Sequence, residues 1–551
     1  MRGTGKTVFL GDRIEDFQVE ILGVLENIGP KQSLILARLS GGPLEHTGVL
    51  QGMSGSPVYI DGKLVGAVAM AFPFSKDPIA GIRPIEEMVR VSDAGTEPLP
   101  RLTALAGSGN ALSDLKAWLP TMAPSDPKML EIATPIALGG FTRGAIDRFA
   151  PQLRALGLEP SQGVSLGGKV ENRMGDPSRL KPGSMISVEL MTGDMSVGAD
   201  GTVTYIDGEK LYAFGHRFLA VGPTQLPFAR SEVMTLLPNL NSSFKISAPK
   251  ELMGTISQDR NTAIAGVLGS AAALIPVEIG VRRAGHALDI YKMQMVNDRF
   301  LSPFLIQMAV FSSIDATERT TGTSSLSVRG RIEFDQRPPV QLSNIYSGDQ
   351  GSAMQASLSA AIPLSYILQG GFDTLQVKRV ALQIESFDSK KVLNIEQVTP
   401  SRREVHPGDT VELNTLLTGE NGAEVTRAVK YTVPIGMPPG PLYFTVADGN
   451  QTSVTELRQT LSVTPRSADQ LISTVNRLRA NDKAYVRVWR NDPAFQIEGE
   501  DFPDPPPSLA MILAGSQTAQ QTRNSKLTEL EISAGEMMIT GSKTVQVEVK
   551  D

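Results

Sequence analysis

A chain of 551 residues, 41% of them hydrophobic, is too long for one hydrophobic core and should divide into several domains. Its 52 basic and 58 acidic residues give a formal charge of -6, and no long run of either sign suggests a nucleic-acid partner. The chain has no cysteine, which excludes thiol catalysis, disulfide bonds and Cys-ligated zinc.

The apolar runs are too short to predict a membrane span. The longest, from Leu64 to Phe74, falls short of the roughly 18 to 20 residues that a spanning helix needs. A strand pattern from Thr7 to Leu10 begins almost at Met1, without a basic and apolar leader before it. We therefore expect an exported protein of the periplasm or cell envelope, with its signal peptide upstream of Met1. A cytoplasmic protein is the alternative, and cell fractionation decides between them.

Short strand patterns bounded by turn residues dominate the chain and predict a mainly β fold. In the first hundred residues they occupy 8–10, 17–25, 34–39 and 58–72. Asp61-Gly62 separates two strand-like runs, which is a strong signal for a tight hairpin. Asp207-Gly208 stands in a similar setting after Tyr205-Ile206. Two interpretations are open: a trace of two related β units, or the ordinary use of Asp-Gly in hairpins.

Helical patterns interrupt the strands at three places. Residues 142–156 form the best amphipathic pattern, and 352–369 and 467–480 are further helix candidates. Between the last two, 401–466 alternates like a β sandwich and opens in the manner of an immunoglobulin-like strand pair at His406-Pro407-Gly408. A proline-rich breaker at 502–507 and a strand at 544–549 close the chain.

Gly52-Met53-Ser54-Gly55-Ser56-Pro57 has the composition that serine nucleophiles need. A tight turn with small neighbours lets a carbonyl carbon approach the hydroxyl, and backbone N–H groups can bind the oxyanion. Gly52 and Ser54 would supply those two N–H groups. The ordinary alternative is a Gly/Ser-rich surface turn. The hairpin predicted at Asp61-Gly62, directly after this loop, argues against that alternative.

Motif spacing excludes two other protein classes, the α/β-hydrolases and the P-loop nucleotide-binding proteins. The nucleophile elbow of α/β-hydrolases needs Gly-x-Ser-x-Gly before a helix, but here the last position is Ser56 and Pro57 leads into a strand. The run Gly3-Thr4-Gly5-Lys6-Thr7 resembles the end of a nucleotide-binding P-loop, but it lacks the first glycine and precedes a strand.

Three segments resemble the SpoIVB-type serine peptidases, a family of the chymotrypsin-like clan known from bacterial sporulation. The resemblance covers residues 1–90 and 183–270, and its matching pieces are Gly48 to Pro57, Asp61 to Val68, and Tyr212-Ala213-Phe214-Gly215-His216. It implies a two-barrel β fold with Ser54 as nucleophile and His216 as general base. It also implies a protein or peptide substrate and no cofactor or metal.

The chain departs from that family in three respects. In the sporulation proteins the His segment follows a PDZ domain and precedes the Ser segment, whereas Ser54 here precedes His216 and no PDZ pattern stands in front. Beside that family, the order resembles a permuted arrangement, which the geometry of a catalytic triad tolerates. The relatives also carry an aspartate before the Ser motif, and the corresponding position here lies around Ser40.

The acid that orients His216 is therefore open. Asp259 is the first candidate because it follows His216 within the same predicted barrel, and Asp194 is the second. For both, a turn residue or an ion-pair partner is the ordinary alternative. The other three histidines, His46, His286 and His406, lie in turns or beside the Ser54 loop and are expected to be structural or solvated.

Together these features predict a serine endopeptidase followed by β domains that offer a surface for a protein partner. The alternative is a catalytically degenerate protease fold that serves as a scaffold or binding protein of the cell envelope. The predicted domains are a Ser-bearing barrel at 1–97, a helical crossover at 98–182, a His-bearing barrel at 183–310, a β-rich domain with one helix at 311–400, an immunoglobulin-like sandwich at 401–466 and an α+β segment at 467–551.

Overall fold

The computed structural model describes most of the chain as two compact units. The described residues are 1–72, 75, 77–93, 130–132, 134–163, 171–239, 243–283, 285–317, 324–348, 351–372, 374–420, 422–453, 465, 467–497, 500–503, 505–516, 519–522 and 524–551. Among them, the first unit takes residues up to 278 and residues 291–316, and the second takes 279–290 and 317–551. The predicted mainly β fold is confirmed.

Six antiparallel strands of the first unit close into a barrel. They are β1 (Arg2–Leu10), β2 (Arg13–Gly29), β3 (Gln32–Ser40), β4 (Pro57–Ile60), β5 (Lys63–Ala71) and β6 (Ile79–Pro84). The ring order is β1-β2-β3-β6-β5-β4, and β4 pairs with β1 to close it. Inward side chains such as Phe17, Leu39 and Ile82 fill the interior. Two short helices, α1 (Leu44–Thr47) and α2 (Ile85–Val89), flank these strands.

The hairpin at Asp61-Gly62 is confirmed. Ile60 pairs with Lys63, which leaves a two-residue loop in which Asp61 has φ 50° and Gly62 has φ 76°. Positive φ at both positions is the geometry that favours Asp-Gly in a two-residue hairpin. This hairpin joins β4 to β5 and fixes where the Ser54 loop enters the barrel.

The rest of the first unit is built on a second ring of six strands. The strands and helices after α2 are β7 (Leu130–Glu131), β8 (Thr134–Gly139), α3 (Arg143–Ala155), β9 (Leu158–Gln162), β10 (Glu171–Met174), β11 (Met185–Gly193), β12 (Ser196–Asp207), β13 (Lys210–Ala213), β14 (Gly222–Leu237), β15 (Phe244–Arg260), β16 (Ala263–Leu268), β17 (Leu274–Arg283), β18 (Leu288–Val296) and α4 (Leu301–Thr317). The ring order is β11-β14-β15-β16-β13-β12, closed by the pairing of β11 with β12. The two-barrel architecture that the family resemblance implies is therefore present in the first unit.

The amphipathic helix predicted at 142–156 is α3. The Thr142 side chain caps it by accepting a hydrogen bond from the Ala145 N–H, and Phe149 packs edge-on against Phe304 and Phe311 of α4. The predicted crossover also contributes β8 and β9, which extend the second sheet from β12. Strand β8 is too short to show a clear period, and β9, with the sequence Leu-Glu-Pro-Ser-Gln, is mostly polar.

The second unit contains a three-stranded sheet and a β sandwich. Its elements are β19 (Ser324–Phe334), β20 (Arg337–Gly348), α5 (Ser352–Gln369), β21 (Val377–Phe387), β22 (Val392–Pro400), β23 (Glu404–Val405), β24 (Thr410–Thr418), β25 (Glu424–Thr432), β26 (Gly440–Asp448), α6 (Ala468–Asn476), β27 (Lys483–Arg490), β28 (Ala494–Ile497), β29 (Glu500–Pro503), α7 (Pro507–Ala514), β30 (Ala519–Thr522), β31 (Ser525–Ser533), β32 (Met538–Thr540) and β33 (Ser542–Val549). The helices predicted at 352–369 and 467–480 are α5 and α6.

The sandwich draws on more of the chain than the stretch 401–466. One sheet has the order β25-β24-β22-β32 and the other the order β23-β33-β26-β27-β31. Leu413 of the first sheet and Phe444 and Val486 of the second share one core. Strands near the C-terminus therefore complete a sandwich that begins at β22. Among the described residues, no helix has both the length and the apolar character that crossing a membrane requires.

Candidate active site

Ser54 lies in a tight loop that leads into β4. Gly52 and Gly55 on either side of it have φ +88° and +90°, a backbone conformation that glycine adopts without strain. The Ser54 side chain is 0% exposed, and its Oγ has no hydrogen-bond partner among the described residues. A buried hydroxyl without a partner costs folding free energy, so its retention points to a functional role.

The backbone of this loop leaves two N–H groups for another acceptor. The N–H groups of Met53, Gly55 and Ser56 donate to the carbonyl oxygens of Leu50, Val68 and Met53. Among the described residues, no carbonyl oxygen accepts from the N–H groups of Gly52 or Ser54. These are the two donors that the sequence predicts for an oxyanion hole.

Strand β12 of the second barrel forms hydrogen bonds with the Ser54 loop of the first barrel. The Thr202 hydroxyl donates to the Gly52 carbonyl oxygen at 2.9 Å, and the Thr204 hydroxyl donates to the Gly55 carbonyl oxygen at 2.7 Å. The Thr202 N–H donates to the Ser54 carbonyl oxygen at 2.8 Å. Both threonines are fully buried. The nucleophile loop of the first barrel is therefore fixed by the second barrel.

The turn before His216 packs against the same loop. Phe214 and Gly215 end β13 with φ +71° and +70°, and positive φ at a bulky residue such as Phe214 is strained. A Cβ atom on Gly55 would lie 2.5 Å from the Phe214 nitrogen, and one on Gly215 would lie 3.3 Å from the Val68 carbonyl oxygen. The structure thus brings together the two segments that carry Ser54 and His216, although they are far apart in sequence.

The imidazole of His216 is oriented by the backbone that follows it. Its Nδ1 lies 2.6 Å from the Arg217 carbonyl oxygen, and the side chain is 1% exposed. A carbonyl oxygen can only accept, so this hydrogen bond places the proton on Nδ1 and leaves the lone pair on Nε2. That tautomer is the one a general base needs.

Asp259 is buried beneath the segment that follows His216. Its carboxylate accepts hydrogen bonds from the N–H groups of Phe218 (2.8 Å), Leu219 (2.7 Å) and Val221 (3.3 Å). Burial raises the pKa of Asp259 to about 6, and these N–H donors partly oppose the rise. The carboxylate therefore shapes residues 217–221, whose Arg217 carbonyl orients the imidazole.

The remaining sequence candidates lie elsewhere. His46, His286 and His406 are all exposed. Asp194 is also exposed, at the turn between β11 and β12, where its carboxylate accepts from the Lys292 N–H. Among the described residues, no group of three or more His, Cys, Asp or Glu side chains is placed to hold a metal ion.

Gly55→Ala should destabilise the first unit by about 3 kcal/mol or more. The added Cβ would lie 2.0 Å from the Thr202 carbonyl oxygen, so the backbone of the loop or of β12 must move. Urea unfolding measures the loss. Gly62→Ala is the matched control, because Gly62 also has positive φ but no atom within 4 Å of its added Cβ, and it should cost only about 1 kcal/mol. Equal losses for both variants would contradict the close packing at Gly55.

Sequence reasoning missed the groups that support the two catalytic candidates. Thr202 and Thr204 read as ordinary β-branched strand residues, and the Arg217 carbonyl carries no sequence signal. A group of buried ionisable side chains on the neighbouring strands, Glu189, Asp200 and Lys245, was also missed. A charged residue at an inward position of an alternating strand is the only sequence signal that could have indicated them.

Residues 4–89 match the family model described as SpoIVB peptidase S55. The matched segment contains Ser54 and the first barrel except for Arg2 and Gly3 of β1, and it ends well before His216. The comparisons found no match among curated proteins or among solved structures. The match covers the Ser54-bearing part of the first unit.

Proposed function

We propose that the protein is a serine endopeptidase that hydrolyses peptide bonds through an acyl-enzyme on Ser54, since residues 4–89 match the SpoIVB peptidase family model. The observation that carries the proposal is the buried Ser54 hydroxyl, which has no hydrogen-bond partner among the described residues, in a loop packed against the His216 turn. An exported location accompanies this proposal.

The proposed reaction uses three groups of the first unit. Ser54 Oγ attacks the peptide carbonyl carbon while His216 Nε2 takes the hydroxyl proton, and the N–H groups of Gly52 and Ser54 bind the oxyanion. His216 then gives the proton to the leaving amine as the peptide C–N bond breaks. Water repeats the sequence on the acyl-enzyme, with His216 again as base, and releases the new carboxylate.

The burial of the site favours a second candidate function. Ser54 is 0% exposed and His216 is 1% exposed, so a peptide reaches them only if neighbouring segments move. A catalytically silent scaffold has no need for such an opening. A fluorophosphonate probe separates the two functions, because it reacts with an activated serine. Peptide mapping should find the label on Ser54, and an unlabelled protein would favour the scaffold.

We assign Asp259 a positioning role, acting on His216 through residues 217–221. Asp259→Asn should lower kcat by about 10 to 100-fold with KM changed less than about threefold, because a neutral amide holds the three N–H donors less well. Steady-state kinetics checks this. Asp194→Asn is the matched control and should change neither constant, since Asp194 is exposed. Equal effects of the two substitutions would contradict the role of Asp259.

The same variant has a second readout in the pH dependence of stability. The folded-state pKa of Asp259, about 6, exceeds the ordinary value of 3.8, so the folded chain binds the extra proton between these values. This group therefore lowers stability as pH rises from about 4 to 6, by roughly 3 kcal/mol in total. Asp259→Asn should remove that decline, measured as the difference from the wild type in the free energy of unfolding at pH 4 and pH 7.

A further inference from the structure

A cavity of about 320 Å³ lies beside the Ser54 loop and is walled by β8, β9, β11, β12 and β15. Its polar walls carry Ser187 and Glu189 of β11, Asp200 of β12, and Lys245 and Ser247 of β15. The volume is at the small end of the range for ligand sites. Neither the nucleophile loop nor His216 lines it, so it is separate from the groups that carry out the proposed reaction.

Each of two buried carboxyl groups in this cavity has one oxygen atom without a hydrogen-bond partner among the described residues. Glu189 is 1% exposed and Asp200 is 5% exposed, and Glu189 Oε1 and Asp200 Oδ1 accept no hydrogen bond from the described residues. Burial raises the pKa of Glu189 to about 8 and that of Asp200 to about 6. Unpaired buried carboxyl oxygens are costly, and a cationic ligand with several N–H donors would satisfy both of them.

The charge of the cavity also favours a cation. Lys245 is the only basic residue among the described residues that line it. Its Nζ donates to Thr7 Oγ1 at 2.8 Å, and burial lowers its pKa to about 7. Two acidic groups thus share this cavity with one amine whose charged form is disfavoured by burial. A bound cation would lower the carboxyl pKa values and restore their charge.

The cavity lies within reach of a peptide held at Ser54. Asp200 and Thr202 point to the same face of β12, two residues or roughly 7 Å apart, and Thr202 holds the Ser54 loop. On the other wall, a Cβ atom on Gly52 would lie 3.3 Å from Lys245 Cδ. The side chain of a residue next to the scissile bond spans a comparable distance.

We propose that this cavity receives a basic side chain of the peptide substrate, with arginine preferred to lysine. A planar guanidinium donates in two directions at once and can bond Glu189 and Asp200 together with the nearby serine hydroxyls. A lysine ammonium presents a compact charge that fits this spread of acceptors less well. The proposal rests on the proposed peptidase function, since it names the class of substrate.

The test compares peptides that carry arginine or citrulline at one position. Citrulline has nearly the same shape as arginine but no charge. A mass-spectrometric digest of a mixed peptide pool first identifies the position that directs cleavage. The wild type should then favour arginine over citrulline by about 100-fold in kcat/KM. Asp200→Asn and Glu189→Gln should each reduce that ratio at least tenfold, while cleavage of the citrulline peptide changes less than threefold.

The matched control is Asp207→Asn, an exposed position at the far end of β12, which should leave the ratio unchanged. A wild type that cleaves arginine and citrulline peptides equally would overturn the proposal. If one cavity variant fails to fold, the other variant and the wild-type ratio still decide.

A binding measurement separates failure of the cavity from failure of the peptidase. Titration calorimetry with n-butylguanidinium should show saturable binding to the wild type and at least tenfold weaker binding to Asp200→Asn, and n-butylurea should not bind. Binding without proteolysis of any peptide would support the cation site and reject the peptidase. Proteolysis without binding or arginine preference would reject the cation site alone, and the absence of both would reject both.

Discussion

Ser54→Ala should lower kcat/KM by about 10⁴-fold or more while leaving the protein at least as stable as the wild type. The hydroxyl is the attacking group in the proposed reaction, so its removal leaves only binding and the oxyanion donors. In the folded state it is buried and has no hydrogen-bond partner among the described residues, so alanine removes a desolvation cost of up to about 1 kcal/mol. Peptide hydrolysis and urea unfolding measure the two effects.

Ser56→Ala is the matched control for that experiment. Ser56 lies two residues away in the same loop and is equally buried, but its Oγ donates to Thr7 Oγ1 at 3.1 Å. Its substitution should cost about 1 kcal/mol of stability and leave peptide hydrolysis within tenfold of the wild type. Undiminished hydrolysis by purified Ser54→Ala would end the serine-peptidase proposal.

His216→Gln should lower kcat by about 10³ to 10⁴-fold and slow fluorophosphonate labelling of Ser54 to a similar extent. Glutamine keeps a polar group of similar size but cannot take the proton from Ser54 Oγ at neutral pH. Steady-state kinetics and the rate of probe labelling provide two separate readouts. His46→Gln is the control, because His46 is only eight positions from Ser54 but is exposed on α1.

Full activity of His216→Gln would move the general base to another residue. Lys245 is then the next residue to test, since its Cδ lies beside Gly52 of the loop and its lowered pKa of about 7 suits a base at neutral pH. Its Nζ reaches Thr7 Oγ1, which also accepts from Ser56 Oγ. Lys245→Met would test that outcome, since it should then abolish the activity that His216→Gln retains.

Local turn chemistry made much of the first barrel predictable. Asp61-Gly62 fixed a two-residue hairpin because that pair adopts positive φ readily, and the glycines around Ser54 occupy positive-φ positions. The helices α3 and α5 were predicted with nearly correct ends because their helical sequence patterns extend over several turns. Strands β8 and β9 escaped prediction because β8 is too short to show a clear period and β9 is mostly polar and contains Pro160.

The supporting groups of the site could not be predicted because they depend on distant chain segments meeting. The Thr204 hydroxyl meets the Gly55 carbonyl oxygen across 149 residues of sequence. Asp259 was predicted as the acid that orients His216. Its carboxylate accepts hydrogen bonds from the backbone N–H groups of Phe218 and Leu219, and these contacts depend on the path of the loop after His216. The roles of Ser54, His216 and Asp259 in catalysis remain predictions for the variants above.

The contacts of Thr202 and Thr204 with the Ser54 loop can form only after these two threonines have been synthesised. The ribosome completes the first barrel before it adds Thr202 and Thr204, at roughly 5 to 20 residues per second. For about 6 to 24 seconds the nascent first barrel therefore lacks the partners of the Gly52 and Gly55 carbonyl oxygens. If the protein is the proposed peptidase, a newly made first barrel carries Ser54 before the groups that hold its loop, so we expect the isolated first barrel to be inactive.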